Sequence, residues 1–141
     1  MTYFNQSPGC VVPAAEPTFG LSMSNENVDE SAEFIKRVQE TVAPWGVAEP
    51  YWLTRTTPEY RDLNRKAACR GFDRQGKSCD EFPFASTLQG CFTWASESSC
   101  NAASVDLQDN VRAGRKLGAF YRRERIMRSR SDDQFYVKIY P

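Results

Sequence analysis

Two adjacent acids, Asp80 and Glu81, stand among aromatic and proline residues in the sequence CDEFPF at 79–84. Carboxylates with apolar neighbours are unusual on a solvated surface, so we interpret the two as a partly buried acid pair. Such a pair can hold a metal ion or activate a water molecule as a general base. Adjacent Asp and Glu residues are also common in turns and helix caps, and taken alone the pair leaves that structural alternative open.

A second polar pair, Asp109 and Asn110, stands at the predicted start of a helix. The side-chain oxygen of Asn110 is a neutral, hard ligand of the kind that Mg²⁺ accepts. Asp109 occupies the position expected of an N-cap, whose carboxylate accepts hydrogen bonds from the first backbone amides of the helix. The pair therefore indicates either a metal ligand or simple capping.

The chain of 141 residues contains no histidine. This excludes Ser-His-Asp and Cys-His hydrolases, two-histidine ribonucleases and histidine-based phosphodiesterases, all of which need an imidazole that titrates near neutral pH. Hydrolytic chemistry in this chain must use carboxylates, and we expect it to use a metal ion as well.

The formal net charge is zero, but the charges are unevenly distributed along the chain. Eight Lys and Arg residues between positions 112 and 130 face a single acid, Glu124. Such a basic segment indicates a surface that binds a polyanion, although a solvated helix face has the same composition. On the first interpretation, the candidate substrate-binding residues are Arg112, Arg115, Arg122 and Arg123.

Five cysteines are present, and no two of them form a CxxC pair. Without histidine or such a pair, a structural zinc site is disfavoured, and disulfides in an oxidising compartment fit better. Pairing Cys69 with Cys79 and Cys91 with Cys100 would close two short loops. Cys10 would then be free or bonded elsewhere.

The remaining pattern predicts a small single domain of the α+β class. Helices are predicted from a cap at Asn27 or Asp29 to Val42, over 58–69 and from Asp109 onward, with extended segments at 79–82, 102–107 and 135–140. Apolar residues at helical spacing are expected to face the core, namely Phe34, Ile35, Val38, Val42, Tyr60, Leu63, Ala67, Val111, Leu117, Phe120 and Tyr121.

Five segments, read together, carry a family resemblance: NRKAAC at 64–69, KSCDEFPFAST at 77–87, DNVRAG at 109–114, GAFYRR at 118–123 and QFYVKI at 134–139. They resemble the NucA/NucB deoxyribonuclease family, and the block at 77–87 is the most specific of the five. The resemblance covers residues 51–141, which are expected to form the nuclease core. Residues 1–50 are expected to form an N-terminal arm and a helix that pack on that core, within one structural domain.

The resemblance implies a ββα-metal nuclease site, in which one strand carries the base, a second strand follows, and a helix supplies a metal ligand. Carried over to this chain, Asp80 is the general base, Glu81 is the acidic metal contact and Asn110 is the helix-borne ligand of Mg²⁺ or Mn²⁺. The roles of the two acids could be exchanged. Because successive strand side chains point to opposite faces, one of the two could act only through its neighbours.

The implied activity is hydrolysis of DNA phosphodiester bonds, with little sequence specificity and strong sensitivity to salt. The expected protein is either a secreted nuclease or the toxic domain of a delivered bacterial effector, opposed by an immunity or inhibitor protein. It is expected to be a monomer. No apolar stretch is long enough to span a membrane, and the missing signal-peptide pattern favours an excised domain.

The alternative function is a catalytically inactive, disulfide-stabilised module that binds nucleic acid through the basic segment. It predicts DNA binding that needs no metal ion and leads to no cleavage. It leaves the acid pair unexplained, because carboxylates repel phosphate unless a cation lies between them.

Overall fold

The computed structural model describes residues 16–130 and 132–141, and Cys10 therefore lies outside the described residues. In chain order, the helices and strands of these ranges are β1 (Thr18–Ser22), α1 (Asp29–Thr41), α2 (Pro58–Cys69), β2 (Ser78–Glu81), α3 (Cys91–Trp94), a short 3-10 helix (Glu97–Ser99), β3 (Ala102–Val105), α4 (Leu107–Arg123) and β4 (Tyr136–Tyr140). None of these helices is long and apolar enough to cross a membrane.

The strands form two separate two-stranded sheets. The first and last strands, β1 and β4, pair in parallel, with Phe19 opposite Val137. β2 and β3 pair antiparallel, with Asp80 opposite Ala103, and α4 follows β3 after one residue. The fold is thus a small α+β domain with a β-β-α unit at its centre, which confirms the predicted fold class.

The hydrophobic core contains a cluster of aromatic side chains from distant parts of the chain. Phe19 of β1 contacts Phe84 and Phe120, and Phe135 contacts Phe120 and Tyr121, with ring centroids 5.5 to 5.8 Å apart. Edge-on and tilted aromatic pairs at this spacing add to the stabilisation that burial alone provides. Because β1 contributes to these contacts, the described part of the N-terminal segment belongs to the same core as the rest.

The starts of α1 and α4 are tied to each other. The expectation that Asp109 caps α4 is wrong, because α4 begins at Leu107 and Asp106 accepts the amide hydrogen of Asp109 at 3.1 Å. Asp109 instead accepts the Glu30 amide of α1 at 3.2 Å, so α1 needs no side-chain cap from Asn27 or Asp29. In return, the Glu30 carboxylate accepts the Asp106 amide at 2.9 Å.

Both predicted disulfides are present, Cys69–Cys79 and Cys91–Cys100. The first joins the end of α2 to β2, beside the acid pair. The second joins the start of α3 to the loop that precedes β3. Two disulfides are typical of proteins that work in an oxidising compartment.

The predicted apolar face of α2 lies in solvent. Tyr60 is 47% exposed and Leu63 is 38% exposed, whereas Asn64 is buried. The Asn64 amide donates to Ala85 O at 2.9 Å, and its side-chain oxygen accepts the Phe92 amide at 2.8 Å. α2 is therefore held by a buried polar anchor, which an analysis of apolar periodicity cannot find. Two other residues predicted to face inward, Val42 and Val111, are also exposed.

Candidate active site

A cavity of about 280 Å³ lies between α1, α2, β2 and α4. The three residues predicted to form the site, Asp80, Glu81 and Asn110, all line it, and Ser31 of α1 lines it as well. Both acids reach the cavity although they are neighbours on one strand. Glu81 is the last residue of β2, and the chain bends at the next residue, so that strict alternation ends there.

Asp80 forms no ion pair with any residue in the described ranges, and its Oδ1 accepts the backbone amide of Glu81 at 2.9 Å. Burial raises the pKa of Asp80 to about 7, and the neighbouring Glu81 carboxylate adds to the increase. Contacts with Ser31, the Glu81 amide and Arg65 act in the opposite direction without offsetting it. A carboxyl with a pKa near neutrality is suited to exchange protons in a reaction.

Glu81 is buried, and α2 supplies its only cationic partner among the described residues. The Nε atom of Arg65 lies 3.4 Å from Oε1 of Glu81. Burial raises the pKa of the Glu81 carboxyl, whereas the charge and hydrogen bond of Arg65 lower it. The Cys69–Cys79 disulfide packs against the other carboxylate oxygen, with Cys69 Sγ 3.6 Å from Oε2. Glu81 is thus oriented from both sides, unlike Asp80.

Asn110, on the first turn of α4, is oriented by its own amide group. Its Nδ2 donates to Ser78 Oγ at 2.8 Å and to the backbone oxygen of Cys79 at 3.3 Å, which ties α4 to β2. With both amide hydrogens used in this way, its side-chain oxygen makes no hydrogen bond within residues 16–130 and 132–141. That oxygen is therefore free to act as a ligand.

Ser31 is an orphaned polar group beside the acids. It is 1% exposed, and its hydroxyl makes no hydrogen bond with any described residue. The hydroxyl is nevertheless close enough to Asp80 to lower the pKa of that carboxyl. An unsatisfied buried hydroxyl costs stability, and functional sites are where such costs are commonly found.

These groups fit a divalent metal ion. The Glu81 carboxylate and the Asn110 side-chain oxygen are hard oxygen donors of the kind that Mg²⁺ and Mn²⁺ prefer, and the Asp80 carboxylate beside Glu81 adds negative charge to the same cavity. A cation would also offset the repulsion between the two acids. A second cluster, formed by Cys69, Cys79 and Glu81 within 4.8 Å of one another, does not fit a metal ion, because both sulfurs are held in the disulfide.

Four arginines line the same cavity, namely Arg55, Arg61, Arg65 and Arg128. Arg61 and Arg65 are four residues apart on α2 and so lie on one helix face. Arg65 places positive charge beside the acid pair, and Arg55 and Arg128 place positive charge farther along the same cavity. This arrangement suits an anionic substrate, because the arginines attract phosphate while the acids remain available to a metal ion or to water.

The four arginines predicted from the basic segment lie on α4 but do not line the cavity. Arg112 lies 3.8 Å from the Asp109 carboxylate, and Arg123 lies over the Phe120 ring and beside Glu124. Arg115 and Arg122 also lie outside the cavity lining. Their contact with DNA stays a prediction about the surface around the cavity.

A sequence model of the family described as deoxyribonuclease NucA/NucB matches residues 54–138, more than half of the chain. The chain belongs to this family. No curated protein and no solved structure matches it. The match to the NucA/NucB family includes the acid pair, Asn110 and all four cavity arginines, whereas Ser31 precedes its first residue.

In this NucA/NucB protein, the sequence did not indicate Ser31, Arg55, Arg61 or Arg65 as residues of the site, whereas the fourth cavity arginine, Arg128, belongs to the predicted basic segment. The spacing of Arg61 and Arg65 on a predicted helix was an available signal, because residues four apart share a face. No comparable local signal existed for Ser31, which α1 brings to the acid pair from 49 positions earlier in the chain.

Proposed function

We propose that the protein is a metal-dependent endonuclease that hydrolyses DNA with a carboxylate in place of histidine as the general base. Family membership supports a deoxyribonuclease. The mechanism is supported by one observation: Asp80, Glu81 and Asn110 line the same cavity, and four arginines line it with them. Contacts of arginine with backbone phosphates carry no base information, so little sequence specificity is expected.

Asp80 is the proposed base and Glu81 the proposed metal ligand. Asp80 forms no ion pair with any described residue, and without a metal ion its pKa is raised to about 7 by burial and by Glu81. Its carboxylate is therefore available to accept a proton from an attacking water. Glu81 is oriented by Arg65, as a ligand of fixed position requires. A divalent ion, Mg²⁺ or Mn²⁺, held by Glu81 and Asn110 would supply charge neutralisation at the phosphate and at the leaving oxygen.

Arg61 and Arg65 are proposed to hold the phosphate that is cleaved. They lie on the α2 face next to the acid pair, and Arg65 contacts Glu81 directly. A guanidinium group can donate two parallel hydrogen bonds to phosphate oxygens, which fixes the phosphorus atom relative to the base. Asp80 would then remove the proton of a water placed opposite the leaving oxygen.

The test is cleavage of supercoiled plasmid with Mg²⁺ or Mn²⁺, with and without EDTA. We expect the wild-type protein to nick and degrade plasmid only with a metal ion. Asp80→Asn, Glu81→Gln and Asn110→Ala are each expected to lose at least about a hundredfold in rate, as is usual when a base or metal-site group is removed. Circular dichroism should show that each variant is folded.

Matched controls separate the site from a general effect of charge. Asp73→Asn and Glu97→Gln remove exposed carboxylates elsewhere on the molecule and should cleave plasmid at the wild-type rate. If folded wild-type protein binds DNA but never cleaves it with any metal ion, the mechanism fails and the inactive binding module replaces it.

We also propose that the protein works outside the producing cell, either secreted or as the toxic domain of a delivered effector. The two disulfides support this, because they persist in oxidising compartments. An immunity or inhibitor protein and the monomeric state stay predictions. The proposal requires that the purified protein lose stability under reducing conditions.

A further inference from the structure

One wall of the cavity is a face of α4 that extends well beyond the acid pair. The α4 residues that line the cavity recur every three or four positions, and they are Asn110, Ala113, Gly114, Leu117, Gly118 and Tyr121. The rise of an α-helix places the first and last of these about 16 Å apart. The cavity therefore has an acidic end at Asn110 and a distant end at Tyr121.

Arg55 is fixed at the Tyr121 end. Its guanidinium lies 4.5 Å from the centre of the Tyr121 ring, and its Nη1 donates to the backbone oxygen of Ile126 at 3.1 Å. The backbone oxygen of Arg55 also accepts the Ser129 amide at 2.8 Å. These contacts hold the side chain in one position and bring the 126–129 segment, with Arg128, to the same end of the cavity.

Arg55 and Arg128 lie near each other without a counter-charge. Neither of them forms an ion pair with any acid of residues 16–130 and 132–141. Burial lowers the pKa of Arg55, and the positive charges of Arg128 and Arg122 lower it further. Like charges that face one cavity without a partner are stabilised by an anion bound between them.

Neutral donors complete this end of the cavity. The hydroxyls of Ser86 and Tyr121 lie 2.6 Å apart, and both residues line the cavity. Burial raises the pKa of the Tyr121 hydroxyl, so it keeps its proton at any physiological pH. One of these hydroxyls donates to the other, so the pair has one hydroxyl hydrogen left. Together with the two guanidinium groups, it forms a set of donors that matches the oxygens of a phosphate group.

We propose that Arg55 and Arg128 form a subsite for a DNA backbone phosphate other than the one that is cleaved. A role of this subsite in DNA cleavage rests on the proposed function, whereas phosphate binding at the subsite does not. A phosphate held at the Tyr121 end would align the strand along α4, with another phosphate beside Asp80. Gly114 and Gly118 lie on the α4 face between the two ends, and the absence of side chains there leaves room for the strand.

The test is binding of a short fluorescein-labelled single-stranded oligodeoxynucleotide in EDTA, measured by anisotropy over a series of salt concentrations. We compare wild-type protein with Arg128→Gln, Arg55→Lys and the control Lys36→Gln. Arg128 and Lys36 are solvent-accessible, so both variants are expected to fold. Arg55→Lys keeps a positive charge but loses the planar fork that contacts Tyr121 and Ile126.

Arg128→Gln is expected to weaken binding about threefold to tenfold and to reduce the slope of log K against log salt by about 0.7, the value for one lost phosphate contact. Arg55→Lys should weaken binding with a smaller change in slope, and Lys36→Gln should change neither. A wild-type protein that does not bind the oligonucleotide, or an Arg128→Gln variant with the wild-type affinity and slope, would overturn the subsite.

Cleavage measured on the same variants separates this inference from the proposed function. If binding changes as expected but no metal ion supports cleavage by the wild-type protein, the subsite stands and the nuclease mechanism fails. If the wild-type protein cleaves and Arg128→Gln cleaves with unchanged KM and salt dependence, the mechanism stands and the subsite is wrong.

Discussion

At the scale of single residues, the two acids of the site differ in the charges that surround them. Asp80 has no cationic partner among the described residues and an acidic neighbour, while the adjacent Glu81 is paired with Arg65. The orphaned Ser31 hydroxyl lies on the same side. These features cost stability in the absence of a metal ion, and they leave Asp80 as the group best able to exchange a proton.

Replacing Asp80 with Asn should therefore stabilise the metal-free protein. The pKa of Asp80 is raised from 3.8 to about 7, so the folded state holds more protons than the unfolded state between these values. The contribution of Asp80 to stability thus falls as the pH rises through this window and is least favourable above it. In EDTA at about pH 8, we expect Asp80→Asn to raise the free energy of unfolding by on the order of 2 kcal/mol.

The pH dependence provides the control for that prediction. Thermal unfolding in EDTA should show that the stability difference between Asp80→Asn and wild type decreases as the pH approaches 4, where Asp80 of the folded wild-type protein is already protonated. An Asp80→Asn variant that is less stable than wild type above neutral pH would contradict the account of a half-buried carboxylate without an ion-pair partner.

The sequence alone indicated three residues that the fold brings into one cavity, but not most of the residues around them. The three residues are Asp80, Glu81 and Asn110, and they stand in short segments of the sequence. Their residue types and immediate neighbours are enough to indicate the chemistry that they could perform. Ser31 reaches the same cavity from α1, and Arg55 reaches it from the segment before α2. Such contacts depend on how elements pack, which residue type and local spacing do not determine.

At the scale of elements, α2 connects the stability of the fold to the site. Its buried residue, Asn64, makes hydrogen bonds to the 85–93 segment, and its exposed face carries Arg61 and Arg65 toward the acids. The predicted bounds of this helix, 58–69, are confirmed, but its predicted inward face is wrong. The helix is predicted from local signals such as Pro58, which is typical of a first helical position. Its inward face is not predicted, because a buried Asn does not contribute to the pattern of apolar residues.

Asn64→Ala is expected to cost about 2 to 4 kcal/mol in the free energy of unfolding, because several backbone groups lose buried partners at once. Urea unfolding followed by tryptophan fluorescence measures the change. The matched control is Leu63→Ala, which truncates the adjacent exposed residue and should cost less than about 1 kcal/mol. If the Leu63 variant were the less stable of the two, the apolar face would be the true anchor of α2.

At the scale of the whole molecule, the N-terminal and C-terminal segments close the fold together. β1 pairs in parallel with β4, and Phe19 packs against Phe84 and Phe120. The sequence predicted an arm and a helix packing on a core at 51–141, and the described residues of that arm include the strand that pairs with β4. The pairing of β1 with β4 joins residues more than a hundred positions apart, so no local sequence pattern predicts it.

A fragment of residues 51–141 should therefore fail to fold cooperatively, because it lacks β1, α1 and their buried side chains. A milder change, Phe19→Ala, is expected to cost about 3 to 5 kcal/mol by leaving a cavity in the aromatic core. Thermal unfolding by circular dichroism checks both. A fragment with a sharp transition and plasmid-cleaving activity would show that the nuclease core is independent of residues 1–50.

Mn²⁺ binding by the intact protein, measured by isothermal titration calorimetry beside plasmid cleavage, tests the central claim most directly. The account predicts that Glu81→Gln and Asn110→Ala bind Mn²⁺ at least about tenfold more weakly than wild type. It predicts that Asp80→Asn still binds Mn²⁺ within a few-fold of wild type but no longer cleaves DNA. Wild-type affinity for Mn²⁺ in the Glu81 and Asn110 variants, or retained cleavage in Asp80→Asn, would contradict the assignment of base and ligands.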